Sequence, residues 1–240
     1  MQPKELFKFS RALDNEPAFR NINYRPGPDA FNDLLDPGET SSEATILAFQ
    51  KATRMRSTLN GVAALDQTNL LHIVIQRVFH RAIFYPSRYG DGSFPVWYGS
   101  LDPLTTVFET AYHMIKEERN LAGRYNEVVR RRLVCKVSCT AILIDFTRDR
   151  KFFPQLTDSS NYHFTQQIGK RIRYERHPGL LCPSARQSDG KNLAIFNGSC
   201  LSNPELLEQL VYRLNLKSMS IDVYRDDQIT TTIDGNHFLF

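Results

Sequence analysis

No stretch of this chain approaches the roughly 18 consecutive apolar residues that a membrane-spanning helix needs. The opening residues, MQPKELFKFSRALDNE, have no apolar core of the kind a secretory leader carries. No contact with a membrane is expected, and the reading is a cytoplasmic enzyme or binding protein. Cysteine is scarce: Cys135, Cys139, Cys182 and Cys200 show neither C-x-x-C spacing nor a disulfide framework. Cys135 and Cys139 fall on the inward face of a predicted strand and read as reduced packing residues. The phosphate loop ending in Gly-Lys-Ser/Thr, the HExxH helix and the EF-hand loop are all missing, so no metal site is expected. The G-x-S-x-G elbow is missing too, which leaves a nucleophilic serine unsupported. The net charge is only +4. That balance does not call for nucleic acid, although it helps an anionic ligand approach. No internal repeat or low-complexity segment occurs.

What is present suits a soluble globular chain, with 41% hydrophobic and 23% charged residues. The 240 residues fit one large domain, or a core of roughly 150 residues with an additional segment. The informative stretch is HRAIFYPSRYGDGSFPVWYGSLDPLTTVFETAYHM, from His80 to Met114. It holds Arg81 and Arg88, a turn at Gly90-Asp-Gly92, and a short apolar strand ending in Trp97-Tyr98. A helix follows, with Asp102 as N-cap and Pro103 at its first position, where a missing N–H costs nothing. Leu104, Val107, Phe108, Ala111 and Ile115 recur at helical spacing and are expected to face a core. Glu109 points off the flank of that stripe, near Thr105, Tyr112 and His113. Cations, an aromatic hydroxyl and a carboxylate thus converge on a strand-turn-helix frame.

Upstream, residues 1–75 read as a mostly helical N-terminal region. Turns are marked at Pro26-Gly-Pro28 and Pro37-Gly38, Leu6, Phe7 and Phe9 suggest a short docked element, and Thr40 to Glu43 forms a capping box. That box opens a helix with Ala44, Leu47, Ala48, Ala52, Met55 and Leu59 on its buried side. The run LLHIVIQRVF reads as the end of a helix or as a first strand, with His72 as a core histidine. Downstream, Lys116 to Arg132 has mostly helical propensity, and Arg130-Arg-Arg132 complements a helix end. Leu133, Cys135, Val137, Cys139 and Ala141 alternate with Lys136, Ser138 and Thr140, as in a half-buried strand. The run ILIDF ends it. A helix crosses back within 147–175, where Lys170, Arg171 and Arg173 form a basic cluster. Strands are expected at 192–196, 219–225 and 228–233, and a helix from Pro204 to Leu214. Residues 76–240 are taken as the main domain.

Taken together, these residues resemble the RES domain family, whose members are NAD-degrading toxins of bacterial toxin–antitoxin pairs. The resemblance is carried by an ordered set. Arg81 comes first, then Arg88-Tyr89; Tyr98-Gly-Ser100 starts ten residues beyond Arg88, and Glu109 lies eleven beyond Tyr98. It continues through ILIDF, Phe164-Thr-Gln166, Gly179-Leu-Leu-Cys-Pro-Ser184-Ala-Arg186 and Asn192-Leu-Ala-Ile-Phe196. The pattern departs in two places: Ser-Arg88-Tyr-Gly stands where the family usually has Gly-Arg-Trp-Asn, and the loop between the arginines is shorter than usual.

The resemblance implies an α+β domain like that of ADP-ribosyltransferases: a compact, split mixed β-sheet flanked by helices, here with an N-terminal helical region. It implies catalytic roles for Arg88, Tyr98, Glu109 and Ser184, and NAD binding by Arg81, Arg88, Tyr89, Tyr98 and Ser184. NAD is then the substrate and no cofactor is required, with phosphate a possible co-substrate. A protein antitoxin that covers the active site is also implied. The residue types suit that chemistry. Forked guanidinium donors match diphosphate oxygens, and a carboxylate favours the positive charge that develops when nicotinamide leaves ribose. An alternative is transfer of ADP-ribose to a protein, against which the lack of an E-x-E motif at Glu109 argues mildly. Nucleic-acid binding through the two basic clusters lacks aromatic-basic interleaving, and is expected only through an antitoxin.

Overall fold

The computed structural model describes residues 6–24, 67–121 and 125–238. The eight strands are β1 (Ser10–Tyr24), β2 (Trp97–Ser100), β3 (Glu127–Asp145), β4 (Gly179–Pro183), β5 (Lys191–Ile195), β6 (Leu201–Asn215), β7 (Ser220–Arg225) and β8 (Gln228–Asp234). They form one mixed sheet in the order β1-β2-β5-β4-β3-β6-β7-β8. Only β3 and β4 run parallel. Because β1 also pairs along β3, from Ser10 opposite Ile144 to Tyr24 opposite Arg131, the five strands β1, β2, β5, β4 and β3 close on themselves. Strands β6 to β8 extend from β3 as an antiparallel wing. The fold is α+β.

Strand β3 owes its central place to its pattern. Leu133, Cys135, Val137 and Cys139 are buried on one face, where they join Trp97, Leu181, Leu193 and Ile195. Val134, on the other face, joins Leu210, Tyr212 and Leu214 of the wing. Strand β4 is buried on both faces and is accordingly apolar throughout, Gly-Leu-Leu-Cys-Pro.

Among the described residues, three helical elements longer than a single turn accompany this sheet. The first, α1, is α-helical over Gln67–Leu71, widens to a π-helical stretch over His72–Gln76 and closes at Arg77–Phe79. Such a widening interrupts the regular backbone bonding of a helix. Here the Val74 carbonyl accepts from Trp97 Nε1 at 2.8 Å and from Arg20 Nη1 at 2.9 Å. The second, α2 (Pro103–Glu118), lays Val107, Ala111, Met114 and Ile115 on the wing. The third, α3 (His163–Tyr174), buries Ile168 and Ile172 against Leu180, Cys182 and Phe196. No helix among the described residues is long and apolar enough to cross a membrane.

Several expectations need correcting. Residues 10–24 are strand rather than part of a mostly helical region, because their backbone is taken up along β3. The helix expected over 44–59 and the turns at 26–28 and 37–38 lie outside the described residues. Of the short element expected near the start, Leu6 and Phe7 are docked, whereas Phe9 is 45% exposed. Helix α2 stops at Glu118 and β3 begins at Glu127, so Arg130 to Arg132 lie on a strand, not at a helix end. Residues 204–214 are strand, since β6 pairs with β3 on one side and β7 on the other. His72 is exposed instead of core, and Leu104, within the apolar stripe of α2, is 43% exposed.

Candidate active site

The start of α2 fixes the site's geometry. Asp102 has extended backbone angles and its Oδ2 accepts from the Thr105 amide at 3.0 Å, with Pro103 at the first position, so the helix begins as its sequence dictates. Two turns later Glu109 leaves the helix toward the ends of β4 and β5. Its Oε1 accepts from Ser184 Oγ and from Asn192 Nδ2, each at 2.6 Å. Among the described residues, Glu109 Oε2 carries no hydrogen bond, and the side chain is only partly buried. One oxygen is therefore fixed and the other is available.

Ser184 is fully buried. Its hydroxyl donates to Glu109 and accepts from the amides of Arg186 at 3.0 Å and Gln187 at 3.1 Å. The loop that carries it is closed by the Ser184 amide donating to the Gly190 carbonyl at 2.7 Å. A Cβ on Gly190 would lie 2.8 Å from Thr105 Cγ2 and 2.9 Å from Ser184 Cβ, so only glycine lets this loop sit against α2. Behind Asn192, Ser100 Oγ donates to Asn192 Oδ1 at 2.6 Å. The Thr105 hydroxyl also contacts Gln187 Oε1, tying the loop to the helix cap. Glu109 is thus held by residues from β2, β5, the β4-β5 loop and its own helix.

Tyr98 shares a face of β2 with Ser100, two residues on, and Arg88 lies on the turn that precedes this strand. Tyr98 Oη accepts from the Tyr89 amide and hydrogen-bonds with Ser87 Oγ, both at 2.8 Å. Burial raises the pKa of this phenol, with the Ser87 contact opposing, so it stays protonated at neutral pH. Gln166 of α3 donates to the carbonyls of Ser87 and Gly90, which pins the turn around Arg88. Arg88 Nη1 donates to the Asp158 carbonyl at 2.8 Å and to that of Leu156 at 3.4 Å. Its guanidinium stacks on Tyr162, 4.6 Å from the ring centroid.

Not every expected residue joins this cluster. Tyr89 is fully buried in the core under α3 and offers no surface to a ligand. A Cβ on Gly169 would come within 1.9 Å of the Tyr89 carbonyl, which shows how tightly α3 is pressed against it. Arg81 is placed beside Arg20, on the side of Trp97. Burial, then the Arg81 charge, brings Arg20 down to about 10. Cys182 borders the cluster, but burial pushes its thiol up to about 12, so it is no nucleophile at neutral pH. The sequence reading missed Asn192, Ser100, Gln166 and Gln187 as site residues. Three of them stand inside the quoted motifs, Ser100 closing Tyr-Gly-Ser, Gln166 closing Phe-Thr-Gln and Asn192 heading Asn-Leu-Ala-Ile-Phe.

A carboxylate held by a serine and an asparagine at the ends of β4 and β5, with a stacked arginine on the turn before β2, makes this polar cluster the candidate site of an α+β domain. The chain belongs to the RES domain family, whose model matches residues 72–215, more than half of its length. Among solved structures, the chain is similar to one from the M. tuberculosis MbcT–MbcA toxin–antitoxin complex, at 13% identity and a TM-score of 0.40, over 82% of this chain and 87% of that one. No curated protein matches the chain.

Proposed function

We propose that the chain degrades NAD by cleaving the bond between nicotinamide and ribose, and that it is the toxin of a toxin–antitoxin pair. The observation that carries the chemistry is the half-fixed carboxylate of Glu109. Departure of nicotinamide leaves a neutral base and an oxocarbenium-like ribose, so the reaction needs little proton transfer. It needs negative charge held close to the developing cation. Glu109 Oε1 is immobilised by Ser184 and Asn192, which leaves Oε2 to face the ribose without reorganising. The residues around it thus orient the carboxylate instead of touching the substrate. This changes the part taken by Ser184, from binding NAD to aiming Glu109.

Arg88 provides forked donors for the diphosphate, and Tyr162 keeps its plane fixed. Tyr98, with its hydroxyl engaged at both ends, braces the turn that presents Arg88. The toxin role and a protein antitoxin that covers the site rest on membership of the family. The test is to incubate the purified protein with NAD, with and without inorganic phosphate, and to separate the products. Free nicotinamide with ADP-ribose, or with its phosphorylated form, is expected. Absence of nicotinamide release overturns the reading, and label retained on protein points instead to ADP-ribose transfer.

A further inference from the structure

Arg186 is a buried cation, 5% exposed, for which the described residues provide no carboxylate. Its guanidinium carbon lies over the Tyr112 ring, 3.2 Å from the centroid. Nη2 donates to the Ser159 carbonyl at 3.3 Å, and the buried Nε has no hydrogen-bond partner. A guanidinium taken from water without a counter-charge is costly unless a partner repays the desolvation. Arg88 is only partly buried and lies near the Asp158 carboxylate, yet its hydrogen bonds likewise go to backbone, to the carbonyls of Asp158 and Leu156. Asp158 and Ser159 are consecutive, so the two guanidiniums grip neighbouring carbonyls of one backbone segment.

That segment is a strap. It starts at the 3-10 turn Pro154–Thr157 and ends at Tyr162, where α3 begins. Its own turn is made by Asp158 Oδ1, which accepts from the amides of Ser160 and Asn161 at 2.9 and 2.7 Å. The strap therefore keeps its local shape without the arginines, while the arginines depend on it for acceptors. Neutral carbonyls are the weaker partners for such donors, because bonds to a charged oxyanion are about twice as strong.

We propose that Arg88 and Arg186 form a two-guanidinium clamp for a phosphate-class oxyanion, and that the carbonyls of Leu156, Asp158 and Ser159 occupy this clamp until the anion displaces them. The inference deepens the proposed function and rests on it for the identity of the substrate. In that role Arg186, not Arg81, is the second diphosphate-binding guanidinium, and the strap opens as the dinucleotide enters. The same chemistry is offered by the diphosphate of NAD and by free inorganic phosphate.

The experiment uses the whole chain with inorganic pyrophosphate, followed by calorimetry and by hydrogen–deuterium exchange. Saturating pyrophosphate is expected to speed amide exchange across residues 156–161. Arg186→Gln is expected to weaken pyrophosphate binding by about tenfold or more, the loss of a charge-assisted hydrogen bond, and Arg186→Lys by less. Unchanged exchange at saturation overturns the clamp, as does an Arg186→Gln affinity equal to wild type. If Arg186→Gln does not fold, the exchange measurement on the wild type decides alone. Orthophosphate titrated onto the complex with ADP-ribose separates the two sources: exclusion assigns the clamp to the diphosphate, whereas binding alongside assigns it to an acceptor phosphate. A wild type that binds pyrophosphate through Arg186 but never consumes NAD keeps the clamp and removes the substrate reading. NAD consumption with an unchanged KM in Arg186→Gln does the reverse.

Discussion

Two hydrogen bonds on one oxygen distinguish Glu109 from a surface carboxylate on a helix. A solvated glutamate replaced by glutamine changes stability by less than about 0.5 kcal/mol and changes nothing else. Here Glu109→Gln keeps an oxygen for Ser184 and Asn192 to donate to, and removes only the charge. The expected result is a protein with a near-unchanged melting temperature whose NAD turnover falls on the order of a hundredfold, since an electrostatic partner of the transition state is lost. Nicotinamide release at saturating NAD measures it, and wild-type turnover by the variant removes Glu109 from the chemistry. Ser184→Ala and Asn192→Ala each delete one of the two bonds that aim the carboxylate, worth about 2 kcal/mol apiece because the acceptor is charged. Each is expected to lower kcat less than Glu109→Gln does, with KM for NAD little changed. Loss equal to that of Glu109→Gln in either folded variant contradicts an aiming role. Glu109 and Ser184 were both legible in the sequence, through the spacing of the motifs. Asn192 stands in a quoted motif, but its role was not legible, because an asparagine on a strand gives no local sign of a partner 83 residues away.

At the scale of elements, legibility follows how far each segment's local pattern agrees with its pairing. Strand β3 alternates cleanly and was readable from Leu133 onward, whereas its charged start, Glu127 to Arg132, takes its extension from β1 and β6. Those arginines then part company along the strand. Arg130 pairs with Glu118, Arg132 is buried with Nε on Asn21 Oδ1 at 2.6 Å, and Arg131 is exposed. They form no continuous basic surface for nucleic acid. In β6, Leu206, Leu207, Leu210, Val211 and Leu214 repeat as on a helix, yet Leu210, Tyr212 and Leu214 are the buried set, with the period of a strand. Helical propensity there yields to neighbours on both sides. Helix α2 shows the opposite case, in which cap, proline and, Leu104 apart, the stripe all agree. Asp102→Ala is accordingly expected to cost about 1 kcal/mol through loss of the cap. It should also reduce turnover, because the Asp102-Thr105-Gln187 contacts join the helix start to the Ser184 loop. Thermal unfolding and nicotinamide release read the two effects, and an unchanged melting temperature shows that the cap does not support the helix.

Across the whole molecule, the sheet joins parts of the chain that the sequence divides. A boundary near residue 76 separates a first region from a catalytic domain on paper, yet β1 from that first region runs beside β3 for most of its length. Strand β3 in turn holds β4 and the wing of β6, β7 and β8. Burial follows the same route: Leu13 and Ala18 of β1 share a core with Trp97, Cys135, Leu181 and Ile195. Removing β1 from the sheet would leave one edge of β3 unpaired and that core open on one side. The described strands should therefore unfold as one cooperative unit rather than in two steps. The chain's single tryptophan, Trp97, makes this measurable, since it is fully buried and donates to Val74 at the junction of α1 and the closed strands. Its fluorescence, followed through a urea titration, reports the closed part of the sheet. Hydrogen exchange in β7 and β8, measured at the same urea concentrations, reports the wing. The two midpoints are expected to coincide. A wing that opens at clearly lower urea than Trp97 would mean that β3 does not transmit stability across the sheet, and that the wing folds as a separate unit.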